Sequence, residues 1–138
     1  MPRSVAGGIS CLLDTDIAID FLRRRGYARR LLERWAGEGL VAVSALTHLE
    51  LYRGMRPAEQ EATSAFLDGM VSIVVDVTIA RRAGTILSEN RAKGVTVGIA
   101  DAIIAATALQ LDVPLLTNNL EHYPFTDLKV VPGLDDLA

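Results

Sequence analysis

Apolar residues along this sequence form short continuous runs that alternate with longer segments of helical spacing. Runs bounded by polar residues or helix breakers predict buried strands. The predicted strands cover residues 9–13, 40–43, 71–75 and 114–117, with a fifth candidate at 128–131. Because the runs are continuous rather than alternating, they favour a parallel sheet that is covered on both faces.

The segments between these runs carry apolar residues at the spacing of an α-helix. The predicted helices cover residues 17–22, 27–35, 45–53, 58–70, 78–93 and 99–111. Pro57 is placed to start the fourth helix and Gly94 to end the fifth. The last helix is apolar at nearly every position, which indicates burial. Strands alternating with helices predict an α/β fold with a mainly parallel sheet and helices on both faces.

Length and composition are those of an ordinary globular protein. The chain has 138 residues, half of them apolar, which suits one domain over residues 1–138 and excludes intrinsic disorder. The single cysteine, Cys11, excludes a disulfide framework and a cysteine zinc site. No apolar stretch reaches the ~18–20 residues that span a membrane, and the first residues lack a signal-peptide cleavage pattern. We therefore expect a cytoplasmic protein without membrane attachment.

The charges are unevenly distributed along the chain. A net charge of −3 argues against a protein that coats DNA. Arginines cluster between positions 23 and 30, and twelve of the fourteen basic residues are arginine. Arginine forms paired hydrogen bonds to phosphate, so the cluster is a candidate phosphate contact, although a solvated helix end is an equally good explanation.

Acidic residues follow three of the apolar segments. Asp14 comes directly after the first predicted strand, Glu50 lies in the helix after the second, and Asp101 interrupts the otherwise uncharged segment 98–106. Each has an ordinary alternative, as a helix cap, a surface residue or a first-turn acid. Carboxyl ends of parallel strands meet at one edge, however, and three carboxylates there would repel one another. A hard divalent cation such as Mg²⁺ or Mn²⁺ would relieve that repulsion.

The fourth predicted strand ends in small polar residues, Thr117-Asn118-Asn119, instead of a carboxylate. These side chains could orient a water or a phosphate oxygen, or form a simple turn. Zinc is disfavoured because there is no cluster of cysteine and histidine. His48 and His122 are well separated and are predicted to be a helix-surface residue and a loop residue.

Four motifs in order resemble the PIN-domain ribonucleases, and among them the VapC-type toxins of type II toxin–antitoxin pairs. The motifs are Leu13-Asp14-Thr15-Asp16 with Ile19-Asp20, Val43-Ser44 through Glu50-Leu51 and Gly54, Ile99-Ala100-Asp101-Ala102-Ile103-Ile104-Ala105, and Leu116-Thr117-Asn118-Asn119 leading to His122-Tyr123. The resemblance covers nearly the whole chain. It implies a three-layer α/β/α sandwich with a central, mainly parallel sheet and an acidic metal site at its carboxyl edge.

The resemblance also implies roles for individual residues. The implied catalytic residues are Asp14, Glu50, Asp101 and Asn119, of which the three acids hold Mg²⁺ or Mn²⁺, and the implied supporting residues are Thr15, Asp16, Ser44 and Thr117. Many members have an acid where this chain has Asn119 or His122, which leaves the number of ions open. Asp16 stands where asparagine is usual, so this chain has an extra carboxylate there.

The activity implied by the resemblance is hydrolysis of RNA phosphodiester bonds by a metal-activated water. The implied partners are the RNA substrate, a cognate VapB-like antitoxin and a second copy of the chain. Candidate RNA contacts are Arg23, Arg24, Arg25, Arg91 and Lys93. The stripe Tyr27, Leu31, Leu32 and Trp35 is assigned either to an interface or to the core.

Two other functions stay open at this point. A flavodoxin-like phosphoacceptor signalling domain would use Asp76, after the third predicted strand, as its acceptor, although Glu50 and Asp101 would then have no role. A non-catalytic PIN scaffold is favoured by the departure at Asn119. A dinucleotide-binding domain is excluded because no glycine-rich phosphate loop follows the first strand.

Overall fold

The computed structural model describes residues 8–134, in which strands and helices alternate as predicted. In chain order the elements are β1 (Ile9–Leu13), α1 (Thr15–Leu22), α2 (Gly26–Ala36), β2 (Leu40–Ser44), α3 (Ala45–Gly54), α4 (Gln60–Asp68), β3 (Val71–Ile73), α5 (Val77–Ala92), α6 (Ile99–Leu111), β4 (Leu115–Thr117) and β5 (Val130–Pro132). Residues 1–7, on which the expectation about a signal peptide depended, lie outside the described part. None of the helices within residues 8–134 has the length and apolar character needed to cross a membrane.

The five strands form one fully parallel sheet in the order β3-β2-β1-β4-β5. From β1 the chain builds outward through β2 to β3, and it then returns to place β4 on the other side of β1. The strand order therefore reverses between β1 and β4. In open α/β sheets, ligands bind beyond the carboxyl ends of the strands at this reversal.

Helices cover both faces of the sheet, which makes a three-layer α/β/α sandwich. Alternate residues of β1 belong to different cores: Leu13 packs in the cluster that contains Leu31, and Leu12 packs in the cluster that contains Ile104. All four side chains are essentially inaccessible to solvent. Burial of β1 on both faces explains why its sequence is a continuous apolar run. The predicted fold class is confirmed.

Two predicted strands have different ends in the structure. The run 71–75 was predicted as one strand, but β3 ends at Ile73, and the side chains of Val74 and Val75 are exposed. The fifth strand covers Val130–Pro132 instead of residues 128–131, and Leu128 is buried in the core ahead of it. Apolar character alone does not show whether a residue near the edge of a sheet is paired or exposed.

The strand order rules out the flavodoxin-like alternative. That architecture has the order 2-1-3-4-5 and places the third strand beside the first. Here β3 is an edge strand that pairs with β2. Asp76, the would-be phosphoacceptor, is instead the N-cap of α5, where its Oδ1 accepts the N–H of Ile79 at 2.9 Å. The alternative in which Asp76 is a phosphoacceptor is therefore excluded.

The apolar stripe of α2 belongs to the core. Leu31 and Leu32 are buried, and Tyr27 and Trp35 pack against the same cluster while staying partly accessible. Leu31 and Leu32 are therefore core residues, whereas Tyr27 and Trp35 pack against the core and keep part of their surface accessible.

Substitution of alanine for glycine is expected to have opposite effects on stability at two positions, Gly39 and Gly84. A Cβ at Gly39 would overlap the carbonyl oxygen of Gly8 and lie 3.2 Å from Cβ of Ser10, whereas a Cβ at Gly84, in the exposed middle of α5, would meet nothing within 4 Å. We expect Gly39→Ala to lower the free energy of unfolding by about 1–3 kcal/mol. Gly84→Ala should raise it by about 0.5–1 kcal/mol because alanine has less backbone entropy to lose. Urea unfolding of both variants tests this, and an equal or reversed effect would contradict it.

Candidate active site

Asp14 lies where β1 ends, beside the reversal of strand order, and its side chain is buried. It is the N-cap of α1: its backbone is extended (φ −74°, ψ 157°) and its Oδ1 accepts the N–H of Thr15 at 2.8 Å. Its Oδ2 accepts two hydrogen bonds, one from the hydroxyl of Thr117 at the end of β4 (2.8 Å) and one from the hydroxyl of Tyr123 (2.9 Å). The capping role weighed for this acid and its place at the sheet edge are therefore both observed.

Tyr123 links Asp14 to Asp101. Asp101 lies in the first turn of α6, and its Oδ1 is 3.3 Å from the same Tyr123 hydroxyl that bonds Asp14. Burial raises the pKa of this phenol far above its usual range, and the negative charges of Asp14 and Asp101 raise it further. The phenol therefore stays protonated and acts as a donor. Tyr123 is the last residue of the fourth sequence motif, but the sequence alone indicated no role for its hydroxyl.

Asp16 lies next to Asp14 and is held from two sides. Its Oδ1 accepts the N–H of Ile17 and its Oδ2 that of Asn118, both at 2.8 Å. Burial, and then the charge of Asp14, raise the pKa of Asp16 to about 6. Burial likewise raises the pKa of Asp14, and its hydrogen bonds offset this only in part. Negative charge is therefore costly at this edge of the sheet.

Glu50 on α3 is linked to Asp14 indirectly, through Thr15. The Thr15 hydroxyl donates to Glu50 Oε1 and also contacts the hydroxyl of Thr47 at 2.9 Å. Since the backbone N–H of Thr15 bonds Asp14, one residue contacts both acids. Ser44 is buried and is the N-cap of α3, with its Oγ accepting the N–H of Leu46 at 3.0 Å. It therefore fixes where the helix that carries Glu50 begins.

The oxygen donors of this region suit a hard divalent cation in their chemistry. They are the carboxylates of Asp14, Asp16, Glu50 and Asp101. Within residues 8–134, however, no three Asp, Glu, His or Cys side chains come together as a ready-made cage for a metal ion. Mg²⁺ is commonly bound through one or two carboxylates and keeps several waters, whereas structural zinc takes a closed set of protein ligands. The donor set therefore fits Mg²⁺ or Mn²⁺.

The segment after β4 contributes differently from the sequence prediction. Asn119 is exposed, and its backbone N–H donates to Thr117 Oγ1 at 3.0 Å. The neighbouring Asn118 is held more firmly: besides the bond to Asp16, its side-chain amide donates to the Tyr27 hydroxyl at 2.8 Å. The involvement of Asn118 depends on local backbone geometry that the repeated Asn-Asn pair does not reveal.

His122 is closer to the site than its prediction as a loop residue suggested. It lies in a 3₁₀ turn over Leu120–His122, and its Nδ1 is 3.5 Å from Oδ2 of Asp101. His48 lies on α3 as predicted and forms a 2.8 Å hydrogen bond with the hydroxyl of Ser72. The two histidines therefore differ in their relation to the acidic residues.

The arginines at the turn between α1 and α2 are exposed. Arg23 lines a cleft of about 320 Å³ that Glu50 also lines. Arg24 and Arg25 line an adjoining cleft, and Arg25 lies 3.8 Å from Asp20. Among the three, Arg23 is therefore the arginine whose cleft includes one of the predicted catalytic acids.

A second basic pair lies at the end of α5. Arg91 and Lys93 are exposed, at the last turn and the C-cap of this helix. Arg82, about two turns earlier, donates to Gln110 near the end of α6 at 3.3 Å. Helices that are connected by a short loop and paired in this way run antiparallel, so the end of α5 lies beside the first turn of α6, which carries Asp101.

Comparison with known proteins agrees with this geometry. Residues 11–127 match the family described as the PIN domain. Ribonuclease VapC19 of Mycobacterium tuberculosis is 38% identical over 120 residues, which cover 86% of this chain and 96% of that protein. A toxin–antitoxin complex from Klebsiella pneumoniae contains a chain of 28% identity with a TM-score of 0.77, and the match covers 90% of this chain and 98% of that chain.

A further solved structure shows the same fold at lower identity. VapBC2 from Rickettsia felis, crystallised with a DNA fragment from its promoter, contains a chain with a TM-score of 0.82 and 23% identity. The match covers 90% of this chain and 98% of that chain. Together these matches confirm the resemblance found in the sequence, and the chain belongs to the PIN-domain family.

Proposed function

We propose that this chain is a divalent-metal-dependent endoribonuclease and the toxin of a toxin–antitoxin pair. One observation carries the proposal: Asp14 and Asp101, which are far apart in the sequence, contact the same hydroxyl at the reversal of strand order. A buried acidic group at this location is typical of a catalytic site. The 38% identity to a protein named a ribonuclease favours RNA as the substrate.

In this proposal Asp14, Glu50 and Asp101 hold Mg²⁺ or Mn²⁺, and Asn119 faces the substrate from the rim of the site. The bound ion would supply positive charge to the phosphate and lower the pKa of an attacking water. The supporting residues are Thr15, Asp16, Ser44 and Thr117, whose hydrogen bonds hold these acids or the elements that carry them. This assignment places the acids against the metal and leaves the recognition of RNA to other residues.

The proposed reaction is an in-line displacement at phosphorus. A water oxygen forms the new bond to phosphorus, one carboxylate accepts a proton of that water, and the bond to the 3′-oxygen breaks. The departing 3′-oxygen takes up a proton from solvent water. The products carry a 5′-phosphate and a 3′-hydroxyl. Since water is the nucleophile, the RNA 2′-hydroxyl has no chemical role, and preference for RNA must come from recognition of its shape and single strands.

We further propose that Arg23, Arg24 and Arg25, with Arg91 and Lys93, contact RNA phosphates. An acidic pocket repels a polyanion, so exposed basic residues at its rim are needed to bring the substrate in. Arg23 is the strongest candidate because it shares a cleft with Glu50.

The proposed protein partner is a small VapB-like antitoxin, and we also propose a homodimer. The 28% identity to a chain of the Klebsiella toxin–antitoxin complex supports the antitoxin as a partner. The single domain over residues 1–138 and the cytoplasmic location stay predictions from the sequence.

Substitution of the acids tests the activity and separates it from the non-catalytic scaffold. We expect Asp14→Asn and Asp101→Asn to reduce Mg²⁺-dependent cleavage of a structured RNA panel by at least about 100-fold, because metal-assisted chemistry contributes several kcal/mol. Asp76→Asn is the matched control: asparagine is also a good N-cap, so this variant should cleave normally. Wild-type rates in either site variant would show that the assigned site is wrong, and an inactive wild type would favour the scaffold.

The raised pKa values of the buried carboxylates allow a prediction of how the free energy of unfolding depends on pH when no divalent cation is present. Burial raises the pKa of Asp14 and of Asp16, the latter to about 6, so the folded state binds protons more tightly than the unfolded chain. The stability gained from protonation is complete below about pH 4 and is lost as the pH rises through about 6.

Asp14→Asn isolates this effect. Two partners of Asp14 are hydroxyls, which accept as well as donate, so asparagine keeps the hydrogen bonds without the charge. We expect the variant to be more stable than wild type near neutral pH by about 1 kcal/mol or more, with the difference growing as the pH rises from about 4 to 7. Urea unfolding in EDTA measures it. A difference that stays constant or shrinks with pH would contradict the assignment.

The role of Arg23 can be measured through the salt dependence of RNA binding. We expect Arg23→Ala to weaken binding of single-stranded RNA and to reduce the slope of log affinity against log salt by about 0.7, the value for one lost phosphate contact. Arg82→Ala is the control, because Arg82 bonds Gln110 at the far end of α6 from Asp101. Equal effects of the two substitutions would remove Arg23 from the RNA path.

A further inference from the structure

We propose that Tyr123 is a positioning residue of the acidic site, whose hydroxyl holds Asp14 and Asp101 in the arrangement that receives the divalent cation. The inference rests on the proposed metal-dependent function and adds a residue to it. Its basis is the hydroxyl that lies 2.9 Å from Oδ2 of Asp14 and 3.3 Å from Oδ1 of Asp101.

The hydrogen bonds of Asp14 show which oxygen stays available to a ligand. Its Oδ2 already accepts from both Thr117 and Tyr123, so both lone pairs of that oxygen are used. Its Oδ1 accepts one bond, from the N–H of Thr15, and keeps one lone pair. Thr117 and Tyr123 together therefore turn Asp14 so that Oδ1 is the oxygen with capacity for a cation.

Asp101 has fewer supports than Asp14. Its Oδ1 contacts Tyr123, and its Oδ2 lies 3.5 Å from Nδ1 of His122, which is half exposed. Within residues 8–134, loss of the Tyr123 hydroxyl would leave His122 as the one polar contact of the Asp101 carboxylate. We therefore expect the orientation of Asp101 to depend on Tyr123 more than that of Asp14 does.

Tyr123 is itself rigidly placed. The ring is buried, packs in the same cluster as Ile104 and Leu115, and lies edge-on to Phe125 with ring centroids 6.5 Å apart. The backbone N–H of Tyr123 donates to the carbonyl of Leu120 at 3.1 Å. Because all of these contacts involve the ring or the backbone, phenylalanine would preserve them and remove the hydroxyl alone.

Removal of this hydroxyl should weaken metal binding. Mutation of residues that orient metal ligands commonly lowers metal affinity by about 10–100-fold. The single proton of this hydroxyl is shared between the two acids, with the shorter contact to Asp14, and its partial positive charge reduces their repulsion before a cation arrives. Both effects act in the same direction, since each brings the two carboxylates into place at lower cost.

Mn²⁺ binding to the RNA-free protein tests the inference by isothermal titration calorimetry or by electron paramagnetic resonance. We expect Tyr123→Phe to bind Mn²⁺ about tenfold more weakly than wild type, while Asp14→Asn shows no specific binding. Tyr52→Phe is the matched control: it makes the same chemical change at an exposed tyrosine on α3 and should bind as wild type does.

The outcomes separate this inference from the proposed function. If wild type binds Mn²⁺ and cleaves RNA but Tyr123→Phe binds Mn²⁺ as tightly, Tyr123 is not a positioning residue, even if the variant melts at a lower temperature. If wild type neither binds Mn²⁺ nor cleaves RNA, the proposed function itself is wrong.

A second measurement needs no metal. In EDTA, Tyr123→Phe and Asp101→Asn should have non-additive effects on the melting temperature, because each removes one side of the same contact. Additive effects would overturn the inference in the same way as unchanged Mn²⁺ affinity. This double-mutant cycle compares the two single variants and the double variant with wild type. It also gives an answer if Tyr123→Phe proves too unstable for calorimetry at the concentrations required.

Discussion

The site depends on the parallel pairing of β1 with β4. In that pairing Leu12 lies opposite Leu115 and Leu13 opposite Leu116, so the next residues of the two strands, Asp14 and Thr117, emerge side by side at the carboxyl edge. The 2.8 Å hydrogen bond between them joins residues that are 103 positions apart in the chain. A shift of one residue would turn the leucines of β1 toward the wrong cores, so the same burial that stabilises the sheet fixes the geometry of the acids.

The acids sit in this position at a cost that the fold reduces but does not remove. In the described residues, neither Asp14 nor Asp16 forms an ion pair with lysine or arginine, and the pKa of both is raised despite their hydrogen bonds. A protein selected for stability alone would have an uncharged side chain there. Groups that lower stability while being well ordered by their neighbours are characteristic of functional sites, where the missing counter-charge arrives with a ligand.

The sequence was sufficient to predict the architecture and the place of Asp14 at the carboxyl edge of the sheet, and the reasons are physical. Continuous apolar runs identify strands that are buried on both faces, such as β1, and the acids directly after them must lie at the carboxyl edge. The end of β3 could not be predicted because Val74 and Val75 are as apolar as paired residues although they are exposed. Tyr123 was missed because an aromatic residue in a loop is usually a packing residue, and nothing in its neighbours reveals a hydroxyl contact with acids 22 and 109 positions away.

Helix N-termini explain how these acids are tolerated although no lysine or arginine within residues 8–134 is paired with them. Asp14 caps α1, Asp16 lies in its first turn, and Asp101 lies in the first turn of α6. The free N–H groups of a first turn and the helix dipole both favour negative charge. A parallel α/β sheet directs the start of each following helix to the carboxyl edge, so the topology supplies partial positive charge where the acids converge. Capping and metal binding are therefore compatible uses of one carboxylate: in Asp14 the backbone of α1 occupies a single lone pair of Oδ1, which leaves the other available to a cation.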